Sequence, residues 1–299
     1  MILDFRYHIV TLVAVFLALG IGIIIGSALM GNDAIVNQQR EITDRLEAQL
    51  QEIRTENQAV QSKLNEMEVD ITIQQQFEKQ VLPALVEGKL VDQTIAIIET
   101  NNYGLRDNLL NTLETAGAKV SSITTILNGL NMGNDKDEIV TNLGLDNGEK
   151  EDVIKQLSKA LAEGIASGEK QVVLNTLSQA GMIKSVGEYG MPLDAVIVVG
   201  GSTDKSLVRT NIIDELIINY FLEHDIPVYG VEESNIAYSY MKEYQKFNIS
   251  TVDNIETVPG QLALVYAMAG RHGHYGEKST ANRLLPTLDN LGVVNGNEL

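Results

Sequence analysis

Residues 9–29 read IVTLVAVFLALGIGIIIGSAL, a run without charge in which only Thr11 and Ser27 are polar apart from the glycines. It leads almost directly into a heptad-patterned stretch. About twenty consecutive apolar residues suffice to cross roughly 30 Å of hydrocarbon. A cleavable signal peptide carries a shorter apolar core of about 7–15 residues. Gly26-Ser27-Ala28 does resemble a small-residue cleavage site, but the length favours an uncleaved anchor. The sequence therefore predicts a chain tethered to a membrane, with something presented on a stalk.

Orientation is weakly written. Arg6 and the α-amine precede the apolar run, whereas Asp33, Arg40, Glu41, Asp44 and Arg45 follow it. Basic residues within about 15–20 positions of a span set its direction, and here the two sides nearly balance. Arg6 is the base nearest the bilayer. It favours a cytoplasmic N-terminus and an extracytoplasmic globular domain, with the outer envelope as the alternative location. The absence of cysteine fits either compartment.

From residue 36 to residue 74 one heptad register holds. Positions a are Val36, Thr43, Leu50, Asn57, Leu64 and Ile71; positions d are Gln39, Leu46, Ile53, Val60, Met67 and Gln74. A buried Asn at a central a position lowers stability but fixes register and favours two strands. Lys63 at g and Glu68 at e are placed to pair between parallel chains. A lone amphipathic helix lying on its own domain is the plainer alternative. The heptads favour a coiled coil with Leu46, Leu50, Ile53, Asn57, Val60 and Leu64 in its seam.

The apolar run agrees. Ala14, Ala18, Gly22 and Gly26 recur every fourth residue, ending in GxxxG. Small residues let helices approach closely in lipid, where the hydrophobic effect cannot drive association. Gly22 and Gly26 are thus the expected dimerisation positions of the anchor. Both features require the same symmetry, that of a parallel homodimer.

The remaining length admits one globular domain of about 200 residues, large enough for a core without disulfides or a structural metal. The chain has 22 Lys and Arg against 40 Asp and Glu, a net charge of −18, and no tryptophan. Nucleic-acid recognition rests on clustered bases, so that class is excluded. The expected organisation is an anchor at 1–30, a coiled-coil stalk at 31–82 and a globular domain at 83–299, with Pro83 and Gly88 breaking the long helix.

Beyond residue 83, short β-rich runs alternate with helical segments. Strands are expected at 94–99, 119–125, 195–199, 227–231 and 249–252, and helices at 105–116, 149–166, 169–179, 206–224 and 258–269. The polar, Gly- and Asn-rich stretch 131–148 reads as a surface loop. The continuous apolar runs IAII and AVIVV suit strands buried on both faces of a parallel sheet. The fold class is α/β: a three-layer, doubly wound, Rossmann-like, mostly parallel sheet.

Ligands of open α/β sheets bind at the carboxyl ends of the strands, and three segments are expected there. Gly200-Gly201-Ser202-Thr203 follows AVIVV and offers amides for an anion, although a glycine pair is more often a tight turn. No dinucleotide fingerprint GxGxxG follows any strand. Thr100-Asn101-Asn102-Tyr103-Gly104 brings amides and a phenol without a nucleophile–base pair. Arg271, His272, His274 and Tyr275 lie in the run GRHGHYG, where His272 and His274 face one side if the backbone is extended. Imidazole suits copper, zinc or nickel, but two ligands do not complete a site. Gly276-Glu277-Lys278-Ser279-Thr280 lacks the adjacent Gly-Lys and preceding strand of a phosphate loop. GxSxG, HExxH and CxxC motifs are all missing, and nothing in the sequence argues for an enzyme.

Two stretches carry a family resemblance. FRYHIVTLVAVFLALGIGIIIGS at 5–27 resembles the opening of bacterial MctB-type "copper transporter" proteins, a group that includes the cell-division protein SteB. TVPGQLALVYAMAGRHGHYGEKSTANRLLP at 257–286 resembles their other signature, a Gly-Gln-aliphatic helix followed by Gly-His-Tyr-Gly. The resemblance implies either copper homeostasis and export, with copper the only cofactor suggested, or a scaffold working with a membrane partner in cell-wall cleavage at division. An apolar span without Cys, Met or His gives a copper ion no path, and moving charge through hydrocarbon is costly. A non-enzymatic interaction module is therefore the first expectation, copper handling the second and an unrecognised hydrolase or small-ligand sensor the third.

Overall fold

The computed structural model describes residues 5–101, 107–133, 136–167 and 171–288. Its first helix, α1, spans Phe5–Val86. The chain divides into two units, Met1–Gln74 and Gln75–Leu299.

In the first unit, Arg6–Leu29 forms 24 residues of helix with a mean hydropathy of 2.8, none of it buried. At about 1.5 Å per residue this length spans the hydrocarbon of a bilayer. Thr11 directs its hydroxyl to the carbonyls of Tyr7 and His8, so the span carries no unsatisfied polar side chain there. Farther on, Leu46, Leu50, Ile53, Val60 and Leu64 are all about half exposed. Within the first unit no described residue covers this seam.

In the second unit, α1 runs through Pro83 instead of stopping at it. Proline forfeits one backbone donor, but only one turn of helix remains. The Glu87 amide closes that turn on the Pro83 carbonyl, and buried Leu82 and Val86 hold it to the core. Gly88 then turns the chain at φ +69°.

The sheet contains β1 (Thr94–Glu99), β2 (Lys119–Ile126), β3 (Ile183–Gly187), β4 (Ala195–Val199), β5 (Val228–Val231), β6 (Ser250–Val252) and β7 (His274–Tyr275). Their order is β3-β2-β1-β4-β5-β6-β7. Every pairing is parallel except β2 with β3. Helices α2 (Asp107–Thr115), α3 (Lys136–Leu143), α4 (Lys150–Ser167), α5 (Gln171–Gln179), α6 (Asp214–Glu223), α7 (Met241–Tyr244) and α8 (Val258–Met268) cover it.

Alternation along the strands builds two cores. Ile95, Ile97, Ala195 and Ile197 pack with α2, α8 and the end of α1 on one face. Ala96, Ile98, Val196 and Val198 pack with α3 to α7 on the other. Helix α8 is buried on all sides from Gly260 to Met268, as befits an apolar helix at the centre of a layer. Thr257 caps it by accepting from the Gly260 amide. This is the doubly wound α/β architecture expected from the sequence.

Three local expectations are corrected. Stretch 131–148 is not merely loop: α3 lies inside it, with Asp137 and Glu138 in its first turn and Ile139 and Val140 buried. Ile139, Val140 and Leu143 make only one helical turn of apolar pattern in a polar segment, too short to stand out. The helix expected at 206–224 starts late. Asp204 caps a short 3-10 turn at Lys205–Leu207, and Val208 then leaves helical geometry. The β-branched run around it disfavours helix, and α6 begins only at Asp214. Finally β3, whose single buried residue is Ile183, and the two-residue β7 extend the sheet beyond the strands expected.

Candidate functional site at the carboxyl edge of the sheet

β1 pairs with β2 on one side and β4 on the other, so strand order reverses between β1 and β4. Such switch points open a crevice in doubly wound sheets. Here it is closed by internal bonds. The Asn101 amide donates to the carbonyls of Gly200 and Gly201 at 2.7 and 3.1 Å. The Gly200 amide donates to Val231 and that of Ser202 to Tyr238. These two amides are therefore committed to the backbone. The glycines serve packing: a Cβ on Gly200 would lie 2.2 Å from the Tyr244 hydroxyl, and one on Gly201 (φ +83°) 2.8 Å from Ile236. Asn102, Tyr103 and Gly104 lie outside the described residues.

Beneath this turn sits a buried carboxyl. Asp214 Oδ1 accepts from Thr100 Oγ1 at 2.7 Å and from the Tyr244 hydroxyl. Burial pushes Asp214 up to about 6, against the opposing pull of those two hydrogen bonds. Burial and then the Asp214 charge hold the Tyr244 phenol well above its ordinary value. Both residues line a cavity of about 190 Å³ together with Glu215, Glu243, Lys246 and Phe247.

The next two strands each end in a buried acid. Glu232, after β5, accepts from Ser239 Oγ at 2.5 Å and the Tyr240 amide at 2.8 Å. Lys278 Nζ donates to the same carboxylate and to the Glu233 carbonyl at 2.9 Å. Asp253, after β6, accepts from the amides of Glu277 and Lys278 at 2.7 and 3.1 Å. A Cβ on Gly276 (φ +136°) would lie 2.0 Å from Asp253 Oδ1. The 276–280 run thus wraps an anion with its amides, but that anion is the protein's own carboxylate.

The histidine segment follows α8 at the last strand. Backbone bonds from Thr251 to Gly273 and from Asp253 to Tyr275 fix it to β6. The Asn282 amide donates to His274, and the Gly276 amide to Arg283. The Tyr275 hydroxyl donates back to the Arg271 carbonyl at 2.7 Å. Its phenol is raised by burial and lowered by the Arg283 and Arg271 charges beside it. Ser250 Oγ and Thr251 Oγ1 hold Nδ1 of His272 and His274 at 3.3 and 3.0 Å. Burial lowers His274.

The structure therefore brings Arg271, His272, His274 and Tyr275 into one cavity of about 240 Å³. Gly200, Gly201 and Ser202 lie at a separate point of the edge. Glu232 links the two regions: its Oε2 would lie 3.2 Å from a Cβ on Gly201, while its Oε1 meets Lys278. The two imidazoles that the sequence paired do share a wall, in company with guanidinium groups. Among the described residues, no group of three or more His, Cys, Asp or Glu side chains gathers as a metal cage. Sequence reasoning missed Asp214, Tyr244, Glu232 and Asp253. The usable signal was position, since Glu232 and Asp253 each follow a strand directly.

A family model described as "Copper transport outer membrane protein, MctB" matches residues 1–286. No curated protein matches the chain.

Proposed function

The chain belongs to the MctB family, and from that membership we propose that it is a membrane-anchored parallel dimer serving as a non-enzymatic scaffold of the cell envelope. The observation carrying this reading is the seam of α1. Leu46, Leu50, Ile53, Val60 and Leu64 are all exposed in a single chain, and Asn57 sits at the centre of their register. A long helix with an uncovered a/d stripe buries it against another helix. A second copy is the occupant that also satisfies the anchor, where a Cβ on Gly22 or Gly26 would meet nothing within 4 Å. The globular unit is read as rigid surface rather than a catalytic constellation, since Asp214, Glu232 and Asp253 each accept internal hydrogen bonds. A membrane or cell-division protein is the proposed partner, reached from an extracytoplasmic position, with remodelling of the cell wall as the process served.

The second reading is copper handling, which the family description favours, with the ion as cargo. His272 and His274 are its best ligands here. They lack a third ligand among the described residues and share their cavity with Arg283, whose charge repels a cation. The anchor offers no ligand set along its length.

Purification of the full chain from detergent-solubilised membranes, with copper measured in the same sample, separates the two. A stoichiometric protein partner without copper is expected. Stoichiometric copper without a partner overturns the scaffold reading. Orientation is tested with Asn147→Cys, at an exposed position of a chain without native thiols. A membrane-impermeant maleimide should label it in intact cells; labelling only after lysis reverses the topology.

A further inference from the structure

The cavity beside β7 is a local reversal of charge. The chain carries 40 acids against 22 bases, yet this cavity is lined by Arg271, His272, His274, Asn282, Arg283 and Thr287, and no Asp or Glu lines it among the described residues. Arg283 makes no ion pair among the described residues; its guanidinium donates to Thr287 Oγ1 at 3.3 Å. The walls are fixed in advance. One wall, 272–275, is bonded into the sheet through β6, and the other is bonded to the first by the Tyr275–Arg283 bridge. Gly273 is required for this closure, because a Cβ there would lie 2.8 Å from the Tyr275 ring.

We infer that this cavity binds a phosphate group. Residues bearing guanidinium, imidazole, carboxamide and hydroxyl groups line it on both walls. A guanidinium alone presents five N–H donors in a planar fork suited to phosphate. A phosphate monoester offers three terminal oxygens to such a set, whereas a carboxylate offers two. At about 240 Å³ the space falls below the roughly 300–1,000 Å³ of sites that engulf a drug-sized ligand. It takes a charged head group, with the rest of the carrier left outside. This assignment is independent of the oligomeric state and of the scaffold role.

Calorimetric titration of the full chain in neutral detergent tests it, with inorganic phosphate, glycerol 3-phosphate and acetate as probes. Both phosphate probes should bind, and acetate should bind at least tenfold more weakly. Tighter binding of the glycerol ester than of inorganic phosphate identifies a carried head group, and equal binding identifies free phosphate; both support the site. Arg283→Ala should weaken phosphate at least tenfold, and Arg283→Lys by less. Asn282→Asp keeps the backbone bond to His274 but puts a carboxylate in the wall, and should also abolish binding. Lys159→Gln, on the exposed side of α4, should leave affinity unchanged. Absence of phosphate binding, equal affinity for acetate, or binding indifferent to both Arg283→Ala and Asn282→Asp overturns the proposal.

Discussion

Lys278 Nζ lies 2.7 Å from Oε1 of Glu232, a carboxylate with no solvent exposure at all, while the lysine itself is about one-fifth exposed. The contact joins the end of β5 to the segment after β7, sequence positions that share no local pattern. It explains why a Gly-Glu-Lys-Ser run that lacks the features of a phosphate loop still has a fixed conformation. The lysine neutralises an acid, and its own amide and that of Glu277 hold another.

Removing the lysine leaves a buried charge without its cation, which costs about 3–5 kcal/mol. Glu232 keeps its bonds from Ser239 and Tyr240, so Lys278→Met should lose about 3 kcal/mol. Replacing both partners, Glu232→Met with Lys278→Met, should lose less than the single change. Urea unfolding of the solubilised chain, followed through the near-ultraviolet signal of its tyrosines, reads both. An unchanged midpoint for Lys278→Met would falsify the internal-neutralisation account.

Two glycines separate backbone strain from steric conflict. Gly270 sits at φ +97° with open space around its Cβ position, whereas Gly276 at φ +136° abuts Asp253. Gly270→Ala should cost only the strain of the unusual backbone, about 1–2 kcal/mol. Gly276→Ala adds overpacking against a carboxylate that two amides hold still, for about 3–4 kcal/mol in total. Equal losses at the two sites would show that Asp253 yields, and that the clamp is loose.

How far the sequence shows this depends on the range of the interactions involved. The anchor and strands such as AVIVV are visible as unbroken apolar runs, and the heptads because they repeat a local period over many residues. Helix α3 hides because it is eight residues long with a single inward turn, Ile139, Val140 and Leu143, and β3 because it is an edge strand with one buried residue. His272 and His274 are legible as a pair since an extended backbone places alternate residues on one side. Asp214 with Tyr244, and Glu232 with Lys278, are separated by 30 and 46 positions. Their meeting depends on strand order, and in a chain so rich in acids only the position of Glu232 directly after a strand sets one of these carboxylates apart. The glycine pair at 200–201 misleads for a related reason. A tight approach of Tyr244 demands the same residue type as an anion cradle.

Asp214 predicts an inverted pH dependence. Its folded value, raised by burial to about 6, exceeds the ordinary 3.8. Between those values the native state holds a proton that the unfolded chain has released. Stability from this group therefore falls as pH rises from about 4 to 6, and the whole loss is present above that range. The gap corresponds to on the order of 3 kcal/mol. Asp214→Asn has no charge to desolvate, and its Oδ1 can still accept from Thr100 and Tyr244. The variant should match the parent near pH 4 and exceed it by about 2–3 kcal/mol at pH 7.5. A difference independent of pH would remove desolvation as the cause.

The seam of α1 makes the sharpest demand on assembly. In a parallel pair every a and d residue faces its own twin, so single cysteines should cross-link at both ends of the register. Leu46→Cys and Leu64→Cys, each made in this thiol-free chain, should both form disulfide dimers in oxidised membranes. Thr55→Cys, at position f on the opposite face, should not. An antiparallel pair brings twins together only near its centre, so it cannot link at both 46 and 64. Asn57 adds a thermodynamic test. Two buried carboxamides pair only when the helices are in register, at a cost in stability that Leu does not incur. Asn57→Leu should therefore raise the melting temperature of the dimer while admitting higher oligomers in sedimentation. Monomers at tens of micromolar, with no cross-link at either end, would mean that the exposed stripe has another occupant and that the scaffold is not a dimer.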